Sequence, residues 1–284
     1  MLTTLHEVVN DARENQYAVP AFDCVGDIMV RTILDTAERL QSPVILMCLE
    51  HNLKEPNGFI FLAEYIKAVA PAYRIPIVLH LDHAMDTDLV KQAIAHGFTS
   101  VMIDGSSLPF AENVALTKQV VELAHPHGIS VEAELGHVGG NELGGTYGTE
   151  SKLTEPHQVA EFVERTGVDA LAVSIGTAHG VYTAEPKLNV ERMRQINLVS
   201  PVPLVLHGGS GTPDAQVQEV VQHGISKVNL YADCRIAMAK GLKRAAAEMT
   251  RIDPLPEEMF LPIRQELEQT VEQKIRMLGA NGRA

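Results

Sequence analysis

The 284 residues predict an α/β chain whose eight strands close into a single (β/α)8 TIM barrel with a helical tail. Three observations carry that prediction. Short apolar runs recur along the whole chain and are continuous rather than alternating, which is how parallel strands buried on both faces read. Segments of helical period separate them, as crossovers between parallel strands require. No linker, low-complexity stretch or fixed-period repeat interrupts the pattern, so residues 1–284 are expected to form one domain.

In chain order, the strand runs are residues 18–22, 43–49, 77–81, 100–103, 130–133, 170–175, 204–206 and 227–230. Helical periodicity falls at 27–40, 86–96, 110–125, 155–166 and 214–223. Glycine ends several of these, in His96-Gly97, His127-Gly128, Thr166-Gly167 and His223-Gly224. A helix C-terminus favours glycine because it enters the left-handed region at little cost. An open doubly wound sheet fits less well, because Asp23-Cys24-Val25-Gly26 after the first run lacks that fold's glycine-rich turn. Residues 255–277 read as a tail helix with a charged face, packed on the barrel or on a neighbouring subunit.

Composition excludes several functions. A formal charge of −13 argues against nucleic acid or an anionic membrane as partner, although backbone donors can still hold a small anion. No apolar run approaches the ~20 residues that cross a bilayer. The N-terminal segment carries Glu7, Asp11 and Glu14 and does not read as a secretory signal. Cys24, Cys48 and Cys234 are far apart and form no CxxC, so a reducing cytoplasm is the expected compartment.

The reactive residues cluster by position. Asp82 and His83 follow the third run, Asp104 ends the fourth, and Glu132 and Glu134 end the fifth. His179 lies just after the sixth run, His207 ends the seventh and Asn229 ends the eighth. All fall at the carboxyl rim, where such barrels place their sites. A lone histidine after a strand is more often a satisfied loop or core residue. Three on separate strand ends make a facial metal site with an open position. Glu132 alternatively pairs with a lysine across a strand, and Asp104 alternatively caps a helix. Asp82, beside a candidate ligand, is the best placed general acid/base. His80 alternates away from His83 and is expected to face the helix layer or a neighbour. Lys227 starts the eighth run, at the wrong end to meet the rim, and the sixth run offers no lysine for Schiff-base chemistry. The turns His207-Gly208-Gly209-Ser210-Gly211 and Val228-Asn229-Leu230-Tyr231-Ala232 follow the seventh and eighth runs. That is the usual phosphate position of this fold.

These residues also carry a resemblance. The blocks His80-Leu-Asp-His83, Ser100-Val-Met-Ile-Asp104, Val131-Glu-Ala-Glu-Leu-Gly136, Ile175-Gly-Thr-Ala-His-Gly180 and Leu204-Val-Leu-His-Gly208 occur in order. With them the chain resembles the class II ketose-bisphosphate aldolases, particularly the short tagatose-bisphosphate type, over nearly its whole length. The resemblance implies zinc held by His83, His179 and His207, with Asp82 as acid/base on the aldehyde-derived oxygen. It implies that Glu142, in Gly139-Gly-Asn-Glu-Leu-Gly-Gly145, is a mobile-loop carboxylate handling the C–H proton. Asp104 and Glu134 would form a secondary metal site. Gly180, Gly208, Gly209, Ser210 and Asn229 would hold the dihydroxyacetone-phosphate half, with Na+ or K+ nearby. A homodimer or homotetramer, with a sugar phosphate and an aldehyde as small-molecule partners, is implied as well.

Departures from the family pattern touch the substrate rather than the metal. Ala232 replaces a usual threonine and Asp23 a usual asparagine. Cys48 lies where a serine often stands, and Ser107 replaces a common histidine. Either a ketose phosphate other than tagatose bisphosphate or a non-phosphorylated aldehyde is therefore expected. The competing readings are a metal-dependent epimerase or hydrolase on the same barrel, and a non-catalytic aldolase-like subunit.

Overall fold

The computed structural model describes residues 1–140, 150–182 and 184–284. Eight parallel strands pair in sequence order and close into a barrel: β1 (Val19–Asp23), β2 (Val44–Leu49), β3 (Ile77–Ala84), β4 (Ser100–Ile103), β5 (Ser130–Leu135), β6 (Ala170–Val173), β7 (Leu204–Leu206) and β8 (Ile225–Leu230). Every strand residue is buried, which is why the runs read as continuous apolar stretches. Outside the barrel lie α2 (Asp27–Leu40), α3 (Glu50–Lys54), α4 (Tyr65–Val69), α5 (Thr87–Ala95), α6 (Phe110–Ala124), α7 (Pro156–Thr166), α8 (Val190–Val199), α9 (Asp214–Gln222), α10 (Ala232–Glu248) and α11 (Pro256–Met277).

An additional helix, α1 (Leu5–Glu14), precedes β1 and packs against β1, β5, β6 and β8. Its buried Leu5, Val8, Val9 and Ala12 follow the i, i+3, i+4, i+7 spacing of a core-facing stripe. Thr4 and Glu7 form its capping box, satisfying orphan N–H groups at its start.

The tail packs on its own barrel, with α11 running along α10 and α2. Close contact with α10 depends on Gly241, where a Cβ would sit 2.4 Å from the Cα of Ile263. Lys274 of α11 is buried and forms an ion pair with Asp233 in the first turn of α10 at 3.0 Å. Among the described residues no helix is long and apolar enough to cross a membrane.

Candidate active site

The carboxyl rim is shaped first by a bend in β3. Its pairing with β4 slips between Leu81 and Ala84, and His83 has φ of 47°. In an unbroken strand Asp82 and His83 would face opposite ways. The bulge and the left-handed residue bring both to the same cavity, where both are buried. A non-glycine residue in this conformation is uncommon and is sustained by what surrounds it.

His207 directly follows β7 and lies inside the barrel mouth. His179 comes instead from the loop after β6. Its N–H donates to Gly139 O at 2.8 Å, and Gly140 bridges to it, so the segment leaving β5 holds this loop in place.

Each of the three rings has one nitrogen engaged by an acceptor. His83 Nδ1 donates to Asp104 Oδ2 at 2.9 Å, His207 Nε2 to Glu132 Oε1 at 2.8 Å, and His179 Nδ1 to Val138 O at 3.0 Å. The other nitrogens are His83 Nε2, His179 Nε2 and His207 Nδ1, and the first and last of these already meet at 2.9 Å. One ligand atom from each residue lies within 4.8 Å of the others, and the rings meet edge to face. This pattern, in which an outer acceptor fixes each imidazole, is how metal-binding histidines are oriented.

Electrostatics in the chain alone agree with that donor set. His83 Nε2 and His207 Nδ1 are 2.9 Å apart, so one must donate. His207 keeps its proton on Nε2, so His83 is the donor and carries two protons. Burial opposes that charge, but Asp82, Asp104 and Glu134 outweigh it and push the His83 pKa up to about 10. Burial holds His179 well below the ordinary imidazole range, reinforced by His83 and His207, and burial also lowers His207. Burial works against ionised Asp104, yet its bond to His83 keeps it below the usual carboxylate range. The site thus gathers acids around one extra proton, and a metal cation suits the same position.

Glu134 belongs to a second cluster with His83 and Asp104, again with ligand atoms within 4.8 Å. Burial, then Asp104, pushes its pKa up to about 8. Its Oε1 accepts Val138 N–H at 2.8 Å, while Oε2 has no hydrogen-bond partner among the described residues. Asp82 is buried, and its Oδ1 accepts Asn229 Nδ2–H at 3.2 Å.

The cavity beside the histidines is walled by Gly180, Gly208, Ser210, Asn229, Leu230 and Tyr231, together with Asp23 and Leu49. Six of the eight residues expected around the phosphate therefore line one cavity. Gly209 and Ala232 do not line it, and the Gly209 N–H is used by Asn229 O at 3.1 Å. Ser210 Oγ accepts Tyr231 N–H at 3.0 Å and Asp233 N–H at 3.3 Å, joining the β7 turn to the start of α10 and leaving its own proton to donate. The strand-two residue facing the cavity is Leu49, and the neighbouring Cys48 is fully buried. Glu142 lies outside the described residues.

Two sequence expectations are corrected. His80 is fully buried with Nε2 3.9 Å from Asp82 Oδ1 and 3.8 Å from Glu132 Oε2, so it faces the barrel interior and not the helix layer. Lys227 does reach the layer beneath the rim, bonding Glu132 Oε2 at 2.8 Å. Tyr182 was not anticipated. Its hydroxyl donates to Gly208 O at 2.8 Å and accepts Ala178 N–H at 2.9 Å, bracing the β6 and β7 loops against each other. A tyrosine two residues beyond a glycine in an irregular loop gives no periodic signal by which to find it.

Gly208 makes this bracing testable. It has φ of 65°, and a Cβ there would sit 2.4 Å from Ala178 O. Gly208→Ala is expected to cost about 1–3 kcal/mol through backbone strain and to weaken metal binding by displacing the loop that carries His179. Thermal unfolding and chelator competition measure the two effects. An unchanged metal affinity would show that the loop absorbs the methyl elsewhere.

Fold and rim together define an enzyme of the metal-dependent barrel kind. The family of fructose-bisphosphate aldolase class-II matches residues 3–283, and the chain belongs to that family. A protein of Staphylococcus aureus strain Mu50 named fructose-bisphosphate aldolase is 38% identical over 100% of this chain and 99% of its own length. One of Bacillus subtilis strain 168, named probable fructose-bisphosphate aldolase, is 40% identical over the same shares. Among solved structures, the YdjI aldolase of Escherichia coli K12 superposes with a TM-score of 0.88 at 34% identity, covering 100% of both chains. The chain is thus a class II aldolase, a lyase.

Proposed function

We propose that this aldolase uses zinc, held by His83, His179 and His207, to cleave and form the carbon–carbon bond between dihydroxyacetone phosphate and an aldehyde. The observation that carries the reading is the set of three imidazoles, each fixed through one nitrogen and converging through the other. When bound, the ion supplies Lewis acidity against negative charge developing on the substrate's oxygens.

The chain's own residues do the rest. In cleavage, the Asp82 carboxylate takes the proton from the hydroxyl on the carbon that becomes the aldehyde, and the carbon–carbon bond breaks. The electron pair passes to the three-carbon half, and Glu142 returns a proton to its carbon. Synthesis runs these steps in reverse. Gly180, Gly208 and Ser210, with the start of α10, hold the phosphate through backbone donors, a hydroxyl and the helix dipole. Asp104 and Glu134 supply a second cation position beside His83. Asp23, Leu49 and Tyr231 on the cavity wall meet the aldehyde half and set its identity. The substrate is a ketose phosphate such as tagatose or fructose 1,6-bisphosphate, or a related ketose 1-phosphate.

The test is retro-aldol cleavage of a panel of ketose mono- and bisphosphates by protein of measured metal content. About one zinc per chain, with cleavage lost to chelator and restored by zinc, is expected. A remetallated protein that binds zinc but epimerises a ketose phosphate without cleaving it would overturn the aldol reading, and an unaffected Glu142→Gln variant would overturn the proton role given to Glu142.

Metal binding should also release protons. His83, with its pKa raised to about 10, holds an extra proton throughout the neutral range, and that proton must leave Nε2 before a metal binds. The sign follows: affinity falls as pH drops below that value, by up to about tenfold per unit for one proton. Calorimetry of zinc binding near pH 7.5 in buffers of different ionisation enthalpy should give at least one proton released, with Glu134, whose pKa is pushed up to about 8, able to contribute a second. No release would contradict the proton assignment at His83.

A further inference from the structure

Beneath the three histidines runs a polar chain that the proposed reaction does not use. Lys227 on β8 and Glu132 on β5 are both fully inside the barrel. The Lys227 ammonium donates to Glu132 Oε2 at 2.8 Å, and Glu132 Oε1 accepts His207 Nε2–H at 2.8 Å. Among the described residues Glu132 is the only hydrogen-bond partner of the Lys227 side chain. His80 borders the pair, with Nδ1 on Ser100 Oγ at 2.8 Å and Nε2 3.8 Å from Glu132 Oε2.

We propose that Lys227 is a positioning residue for His207, acting through Glu132. Resting on the three-histidine metal reading above, the inference concerns which nitrogen of His207 faces the centre. An imidazole at this position can present either nitrogen, and the partner of the other one decides. Glu132 decides for Nδ1 by accepting from Nε2. It does so only while its carboxylate is held edge-on to the ring, and the ammonium on its second oxygen fixes that rotation. A fold-only role is the alternative. It explains the pair poorly, because exchanging a buried ion pair for apolar residues of similar volume is often neutral or stabilising. A lysine there points to a task beyond stability.

The experiment compares wild type, Lys227→Met and the double variant Glu132→Gln/Lys227→Met. Zinc affinity is measured by competition with a chromophoric chelator, the visible spectrum is recorded after cobalt substitution, and thermal unfolding is followed. Lys227→Met is expected to lose about 10–100-fold in zinc affinity and to shift the cobalt spectrum. The double variant removes both charges and is expected to recover the unfolding temperature but not the affinity or spectrum, because the unanchored amide no longer dictates the His207 tautomer. Should the single variant not fold, the double variant carries the test alone. Wild-type affinity and spectrum in either folded variant would overturn the positioning role while leaving the metal site standing. A wild-type chain that binds no zinc would overturn both.

Discussion

Replacing Asp82 with asparagine is expected to lower kcat for aldol cleavage by about 10²–10⁴-fold, the range for losing a positioned acid/base. Asparagine keeps the shape of the side chain, and its amide oxygen can still accept from Asn229 Nδ2, now 3.2 Å from Asp82 Oδ1. What it loses is the ability to take a proton. Asp82 is also one of the carboxylates that favour charge on His83, so metal affinity should weaken as well. The assay must therefore run at saturating zinc, with metal content measured in parallel. A deficit in kcat at full metal occupancy, with KM little changed, assigns Asp82 to the chemical step. A variant within tenfold of wild type at full occupancy would remove it from that role and leave it as a counter-charge for His83.

The barrel was legible because each strand is buried on both faces, and such strands print continuous apolar runs that need no tertiary information to recognise. All eight strands overlap the predicted runs, although β3 continues to Ala84 and so contains Asp82 and His83, which were expected to follow it. The rim was legible for a related reason. In a barrel of parallel strands, every strand end lies on one face, so residues that end separate runs must meet. His80 shows where the argument breaks. Alternation counted from His83 turns His80 outward, but His83 is left-handed and follows a bulge, so the count starts from the wrong phase. Counted from Asp82, His80 shares its face and points inward, as the structure places it. Lys227 fails differently. Its backbone does start low on β8, but four methylenes carry the ammonium to Glu132, one hydrogen bond from the rim. Depth along a strand locates a backbone and misjudges a long side chain. The bracing of the β6 loop by Tyr182 and by residues 138–140 has no periodicity behind it, so neither strand nor helix reasoning could reveal it.

Removing His179 should give a large loss of metal, and it is the cleanest of the three ligand deletions to interpret. His83→Ala would strand Asp104, force alanine into the left-handed conformation and disturb the bulge that aims Asp82. His207→Ala would leave one oxygen of Glu132 without its donor inside the barrel. Each would mix metal loss with destabilisation of the core. His179 lies on a loop, its Nδ1 bonds a backbone carbonyl, and its backbone N–H to Gly139 O survives substitution. His179→Ala should therefore unfold within a few degrees of the metal-free wild type. Its zinc affinity should fall well beyond the ~10–100-fold typical of losing an outer partner, since a direct ligand is gone. Cleavage at micromolar zinc should disappear, with partial return at millimolar zinc if two histidines and the neighbouring carboxylates still capture the ion. Stoichiometric zinc retained through dialysis by His179→Ala would show that the loop histidine is no ligand. The centre would then be the deeper cluster of His83, Asp104 and Glu134.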